Sequence, residues 1–381
     1  MAESAELDID SVNMSPSKSL AQSIYGKRFP PPSAAVTART KRSVTLADVA
    51  EVAGVSASTA SRALNGRGEL SDATRAAVLE AAEALRFQPS ELARSLRTRT
   101  SYTVGFVVPD VASPFYASAL KGAQQVLAQA GYRVMLMDSE QEVAGEVAAL
   151  GTLLKHQVDG LLVSTTGLPE RTFDEVVGRS GTPCVFFDGI LGDAGAGSVS
   201  LENEAGIAEL VDHLVEHGHE RIALLAGSQT ETSGVERLTS FRATMRRHRL
   251  RVRDGYERPS PWSLDSGRLE SRTLLALTPP PTAVVAASVE LALGCMSACR
   301  ERGVRIPDDL ALGSFDDSYF GELLDPPLTS IAYDPEEVGR AAARLLVDAM
   351  RDAGSDRREL LVPVHLVRRR SCGCAPGATA A

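Results

Sequence analysis

Between Val44 and Asn65 the apolar residues recur at helical spacing. Leu46, Val49, Ala50 and Ala53 fall at i, i+3, i+4 and i+7, which predicts one amphipathic helix. Thr45 and Asp48 form a capping-box arrangement at its start, and Gly54 is a stop that tolerates positive φ. Ser56 is a good N-cap for a second helix, which turns Ala60, Ala63 and Leu64 inward and Ala57, Ser58, Ser61 and Arg62 outward. Ser71 caps a third helix to about Leu85, with Val78, Ala81, Ala82 and Leu85 on its buried side. Residues 43–88 are thus predicted to form an all-α helix-turn-helix domain. Small residues at the start of the second helix, with Arg62 one turn after Ser58, suit close approach to a major groove and one long donor for a base edge. An ordinary helical hairpin with a polar surface is the alternative.

From Tyr102 the pattern changes. TVGFVV, RVMLMD, VDGLLVS and PCVFFD read as buried strands separated by helical segments. After Ser198 the alternation restarts, with helices over 204–217, 234–248 and 289–302 between RIALLAG, AVVAAS and LALGSFD. Regular βα alternation with apolar strands predicts parallel sheets covered by helices, and two such runs predict two α/β lobes. Ligands gather at the C-terminal ends of such strands, where this chain carries mostly polar residues after apolar runs: Asp110 with Ser113, Asp138, Ser164, Asp188, Gly227, Ser288 and Asp316.

Residues 1–42 are rich in Ser, Ala and Pro, lack periodicity and are expected to be disordered. Pro89 breaks the third helix's continuation, and Ser90 can cap a short helix from Glu91 to Arg97 within a hinge and linker over 89–101. The net charge of −9 looks wrong for a DNA-binding protein, but residues 41–100 hold nine basic against seven acidic side chains. The acidic excess therefore lies in the larger body, which phosphate repels. No apolar run reaches membrane-spanning length, and the first twenty residues lack a basic-then-apolar leader. Five scattered cysteines do not suggest a disulfide framework. These features together predict a cytoplasmic protein with no membrane partner.

The stretches VTLADVAEVAGVSASTASRALNG and ATRAAVLEAAEALRFQPSELARSLRTRTSYTVGFVVPD, with further motifs nearly to the C-terminus, resemble the LacI/GalR family of bacterial repressors over about residues 43–371. The resemblance implies a sequence-specific, DNA-binding transcriptional repressor. It acts as a homodimer on a near-palindromic double-stranded operator, and its affinity is set by a small-molecule effector, a sugar or related metabolite. The fold implied is a helix-turn-helix domain followed by a two-lobed, periplasmic-binding-protein-like effector and dimerisation domain over 102–371. The first lobe covers about 102–199 and 332–358. The second covers about 200–331 and 359–371, with ELLVPVHLV completing it and a loose tail over 372–381. Ala57, Ser58 and Arg62 would select sequence, and Thr45, Ser56, Thr59, Ser61 and Asn65 complete the expected DNA-facing set. In the hinge, Ala93, Leu96 and Arg97 would meet the minor groove, Leu96 as an apolar wedge that bends the duplex.

For the effector the resemblance implies Arg237 and Asp316 as principal polar contacts and Trp262 as a pocket aromatic. Ser113, Phe115, Tyr116 and Asp188 would face the ligand from the first lobe; Ser233, Ser288 and Tyr333 complete the set. Each has a bland alternative: Arg237 as a partner of Glu236, Asp316 as a loop cap, Trp262 as core. One departure stands out. Where the family commonly has a polar pair after the fourth strand of the second lobe, this chain has Ser288–Val289, and Tyr333 replaces a polar residue near the last crossing. Both suggest a weakened grip on polyols and a more apolar or aromatic effector.

His213 and His217 are one helical turn apart, with His219 nearby, but they match the family's structural HL…GH..I pattern and no thiol ligand is close in sequence. Cys295 and Cys299 read as core thiols, and Cys372 and Cys374 fall in the tail. No metal or cofactor is expected. No GxSxG, HExxH, Walker or GxGxxG pattern is present, so the chain is not read as an enzyme. A solute receptor using the cleft alone is the remaining alternative.

Overall fold

The computed structural model describes residues 44–66, 69–87, 100–352 and 356–374. The chain divides into two units, Met1–Pro89 and Ser90–Ala381. The expected disorder of residues 1–42 and the hinge contacts of Ala93, Leu96 and Arg97 lie outside the described residues.

In the first unit, α1 (Leu46–Val52), α2 (Ala57–Leu64) and α3 (Asp72–Ala84) follow the periodicity to within a residue or two. Thr45 and Asp48 close the capping box in both directions. Ser56 and Ser71 accept from the amides of Thr59 and Thr74. Gly54 takes φ 64° in the turn between α1 and α2. Val49, Ala60 and Val78 are wholly buried where the three helices meet, together with Ala50, Ala63, Ala81 and Ala82. With mostly alanine at the centre the helices pack closely, and partly buried Leu64, Leu85 and Phe87 seal the edges.

The second unit contains two six-stranded sheets. In the first lobe the strands are β1 (Thr103–Val108), β2 (Arg133–Asp138), β3 (Gly160–Val163), β4 (Cys184–Phe187) and β5 (Gly197–Leu201), interleaved with helices α4 (Pro114–Gln129), α5 (Val143–Lys155) and α6 (Glu170–Val176). The second lobe has α7 (Asn203–Glu216), β6 (Ile222–Gly227), α8 (Thr232–Arg247), β7 (Glu257–Pro259), α9 (Leu264–Leu274), β8 (Ala283–Ala286), α10 (Val289–Arg302), β9 (Ala311–Phe315) and β10 (Thr329–Ala332). Then α11 (Pro335–Arg351) returns to pack on α4, followed by β11 (Arg358–Val362), β12 (His365–Val367) and a 3-10 turn over Arg370–Cys372. The first sheet runs β11-β5-β4-β3-β1-β2, all parallel. The second runs β12-β10-β9-β8-β6-β7, parallel except where β12 pairs antiparallel with β10. The central strands β3, β4, β6, β8 and β9 are buried throughout, as doubly covered parallel sheets require.

Two expected boundaries change. ELLV does not complete the second lobe: β11 lies beside β5 in the first sheet, in register from Arg358–Gly197 to Val362–Leu201, and only β12 joins the second. Both segments are short and apolar, so pattern alone could not assign them to a sheet. Nor does the body stop at residue 371. Ser371 is fully buried, donating to the Leu312 carbonyl and accepting from the Thr329 amide, and Cys372 beside it is 1% exposed.

Candidate functional sites

In the first unit, burial of Ala60 and Ala63 leaves Ala57, Ser58 and Arg62 exposed on the opposite face of α2. Arg62 Nε donates to the Ser58 carbonyl at 3.4 Å, so the guanidinium lies along the same stripe. The Ser56 hydroxyl lies 2.8 Å from that of Ser58 and 2.9 Å from that of Thr59, forming a cluster over the open amide end of the helix. Asn65 Nδ2 donates to the Ser61 carbonyl at 2.6 Å, and the Thr45 hydroxyl donates to Asp48. Thr45 and Asn65 thus also serve as helix-end groups.

In the second unit, all ten residues expected to face the effector line one cavity between the lobes. Ser113, at the head of α4, and Phe115 and Tyr116 in its first turn form one wall, with Asp188 after β4. Ser233 and Arg237 on α8, Trp262, Ser288 before α10, Asp316 after β9 and Tyr333 after β10 form the other. Pro109, Asp110, Gln141, Glu231 and Glu290 also line it.

Arg237 is 4% exposed and held from three sides. Nε donates to Asn203 Oδ1 at 2.9 Å, Nη1 donates to the Ala287 carbonyl, and the guanidinium carbon lies 3.7 Å from the Phe315 ring centroid. Nη1 is 4.0 Å from Asp316, the nearer end of a contact across the pocket wall. Asn203 Nδ2 in turn donates to Glu236, so the anticipated Arg237–Glu236 relation exists through an asparagine bridge. Asn203, buried at the start of α7, positions the arginine without lining the cavity; its sequence neighbourhood is only a helix start.

Three of the lining carboxyls, Asp188, Glu231 and Glu290, are raised above their ordinary range. Burial pushes Asp188 up to about 7, with Asp316 and Glu231 adding to the rise and Arg237 opposing it. Burial likewise raises Glu231 to about 7, against the hydrogen bond it accepts from Trp262 Nε1 at 2.9 Å. Glu290 is raised by burial and by Asp316. The Tyr116 and Tyr333 phenols are held well above the usual tyrosine range by burial and by Asp188 and Asp316 respectively. Both therefore stay protonated as donors, Tyr116 to Asp188 at 3.2 Å and Tyr333 to Asp316 at 2.7 Å. Gly227, φ 72°, ends β6 beneath Trp262; a Cβ there would meet the indole at 2.1 Å.

The expectation of an apolar cleft is corrected here. Val289 is buried in the core, and its neighbour Glu290 lines the cavity, within 3.5 Å of the Ser113 hydroxyl across the lobes. The hydroxyl of Tyr333 serves Asp316 rather than making the wall greasy. Further bonds cross between the lobes: Thr230 Oγ1 to the Thr166 carbonyl at 3.4 Å, and Thr232 Oγ1 to the Ile190 carbonyl at 3.1 Å. Among the described residues no helix is long and apolar enough to cross a membrane.

Residues 45–90 match the family described as bacterial regulatory proteins, lacI family, and residues 211–372 match the periplasmic binding protein-like domain. Catabolite control protein A of Priestia megaterium is 30% identical over 329 residues, covering 86% of this chain and 99% of that protein. The chain belongs to the LacI family. It is similar in structure to the lac repressor dimer bound to operator and the anti-inducer ONPF, with TM-score 0.77, 29% identity and coverage of 87% of this chain and 99% of that one. It is also similar to a CelR–cellobiose complex, with TM-score 0.65, 33% identity and coverage of 86% and 99%. This LacI-family chain is a DNA-binding transcriptional regulator with a two-lobed α/β effector domain.

Proposed function

We propose that the effector is a neutral, polyhydroxylated molecule of the sugar class, seated between the lobes and gripped chiefly by Arg237, Asp188 and Asp316. The observation that carries this reading is the lining itself. Five carboxylates share the lining with one guanidinium and with Phe115, Tyr116, Trp262 and Tyr333. Carboxylates and a fixed arginine match hydroxyl groups, aromatic faces match the CH faces of a sugar ring, and the acidic excess disfavours phosphorylated or carboxylated ligands. The cellobiose-bound relative is consistent with this class.

Two copies of the chain, each offering α2, read two half-sites of a near-palindromic operator in the cytoplasm, and the chain does no catalysis. Residues 43–88 serve as the reading head and 89–101 as the hinge. Ala57, Ser58 and Arg62 select bases, Arg62 by a bidentate contact to guanine; Ala93, Leu96 and Arg97 work in the minor groove. Effector binding selects one lobe angle, and operator affinity follows by linkage. The relation of the chain to the operator-bound lac repressor supports this use of the head.

The test is a gel shift at low salt on genomic fragments, with and without residues 1–100, titrated with neutral mono- and disaccharides and with sugar phosphates. A shift that needs residues 1–100 and responds to a neutral sugar is expected; a response to the phosphorylated sugars alone overturns the effector class. Arg62→Ala should cost about 1–3 kcal/mol and relax preference at one base pair per half-site. An unchanged binding motif in the variant refutes the base contact.

A further inference from the structure

The fold brings together two pairs that are far apart in sequence. His213 and His217 sit one turn apart at the end of α7, and Cys372 and Cys374 flank the turn at Gly373. Cys372 Sγ lies 3.1 Å from His213 Nε2, Cys374 Sγ lies 3.4 Å from the same nitrogen, and the two sulfurs are 3.1 Å apart. The three donor atoms fall within 4.8 Å of one another. His217 Nε2 is 3.5 Å from Cys374 Sγ.

We propose that these four side chains form a tetrahedral Cys2His2 site for zinc, tying the C-terminal segment to α7. Tetrahedral zinc with S at about 2.3 Å and N at about 2.0–2.1 Å places neighbouring donors roughly 3.3–3.8 Å apart, so shifts of a few tenths of an ångström fit His213, Cys372 and Cys374 to the metal, and a larger swing of the His217 ring adds the fourth donor. Two thiolates neutralise the dication, which suits a site whose His213 and Cys372 are 3% and 1% exposed. Soft thiolate with imidazole selects zinc over magnesium or calcium.

The surroundings are those of a held ligand set. His217 Nδ1 lies 2.8 Å from the His213 carbonyl; donation there leaves the Nε2 lone pair toward Cys374. The Thr329 hydroxyl lies 3.0 Å from Cys372 Sγ and donates to it, as it would to a thiolate. The site is remote in function from the effector cleft, with which it shares no lining residue.

The test uses the untagged full-length chain, reduced and stripped with a chelator, then titrated with Co2+ and competed with Zn2+. One Co2+ per chain is expected, with visible d–d absorption of tetrahedral intensity and near-ultraviolet thiolate-to-cobalt charge transfer, both abolished by Zn2+. Cys374→Ser and His217→Ala, at the solvent side of the cluster, should keep the far-ultraviolet dichroism of the parent and weaken Co2+ binding at least about tenfold. Zinc should raise the melting temperature of the parent and not of Cys374→Ser. A weak octahedral spectrum, absence of charge transfer, or unchanged affinity in folded Cys374→Ser overturns the site. So does a Cys372–Cys374 disulfide that survives the reducing agent and excludes metal.

Discussion

The two lobes build their halves of the cleft from the same short pattern. In the first, β4 ends in Phe187–Asp188; in the second, β9 ends in Phe315–Asp316. Both aspartates adopt left-handed φ, 58° and 68°, and each accepts from a tyrosine whose ring lies 6.2 Å from the preceding phenylalanine. The difference is the cation. Arg237 lies over Phe315 and 4.0 Å from Asp316, whereas among the described residues Asp188 makes no ion pair. Asp188 instead has its carboxyl raised to about 7. One half of the cleft holds an arginine–aspartate contact, and the other holds a carboxyl raised to about 7. Similar backbone frames therefore give unequal chemistry, because one long side chain on α8 reaches only one of them.

The largest test of that asymmetry is Arg237→Ala. Removing the buried cation leaves Asn203 and Asp316 without their partner, so stability should fall by about 3–5 kcal/mol. Effector affinity, measured by calorimetry at a temperature where the variant is folded, should fall at least about a hundredfold. A loss below tenfold would show that the arginine does not organise the cleft. Gly227→Ala is the next largest. Its Cβ overlaps the indole on a backbone that disfavours a side chain, and a cost of about 1–3 kcal/mol is expected. Trp262 is the chain's single tryptophan, so its fluorescence should shift in this variant and respond to effector in the parent. Silent fluorescence at saturating effector would place the ligand elsewhere.

The smallest effect sharpens the comparison most. Asp188 and Glu231 have folded pKa values raised above those of the unfolded chain. Their contribution to stability is present below about pH 4 and is lost as pH rises through about 7. Each unit of displacement corresponds to about 1.4 kcal/mol of differential interaction, moderated where water enters the cleft. Asp188→Asn should flatten this part of the ligand-free stability curve and make the variant relatively more stable at pH 8 than at pH 5. Asp316→Asn, which removes the partner of Arg237, should lower stability at both. His213, pushed down to about 4 by burial, tilts the curve the other way, losing stability as pH falls from about 6.5. Denaturation midpoints are therefore compared as differences from the parent. Equal pH profiles for the two asparagine variants would erase the distinction between the lobes.

Local reading went far where a residue's role is written in its neighbours. The caps at Thr45, Ser56 and Ser71, the buried faces of α1 to α3 and the central strands all follow from spacing that a short segment carries by itself. The ten cleft residues were placed by family resemblance together with the rule that parallel strands end at a ligand crevice. Glu231 and Glu290 were missed: each sits beside a residue singled out for other reasons, and only the start of α8 or α10 turns its carboxyl into the cavity. Val289 misled for the same reason, since which of two adjacent residues faces a cleft depends on a helix's first turn.

Periodicity and capping chemistry were enough to determine that this chain forms a three-helix head and two parallel α/β lobes, because those signals act over a few residues and survive without tertiary context. Three matters were decided only when distant segments met. Pairing placed ELLV beside β5 rather than in the second sheet. Burial raised the carboxyl of Asp188, and the placement of Arg237 gave Asp316 its cation neighbour. Packing of the last turn against α7 set two thiols beside two imidazoles about 160 residues earlier. Each depends on the dielectric and the neighbours found at one point in space, and neither quantity is a property of any stretch of chain read alone.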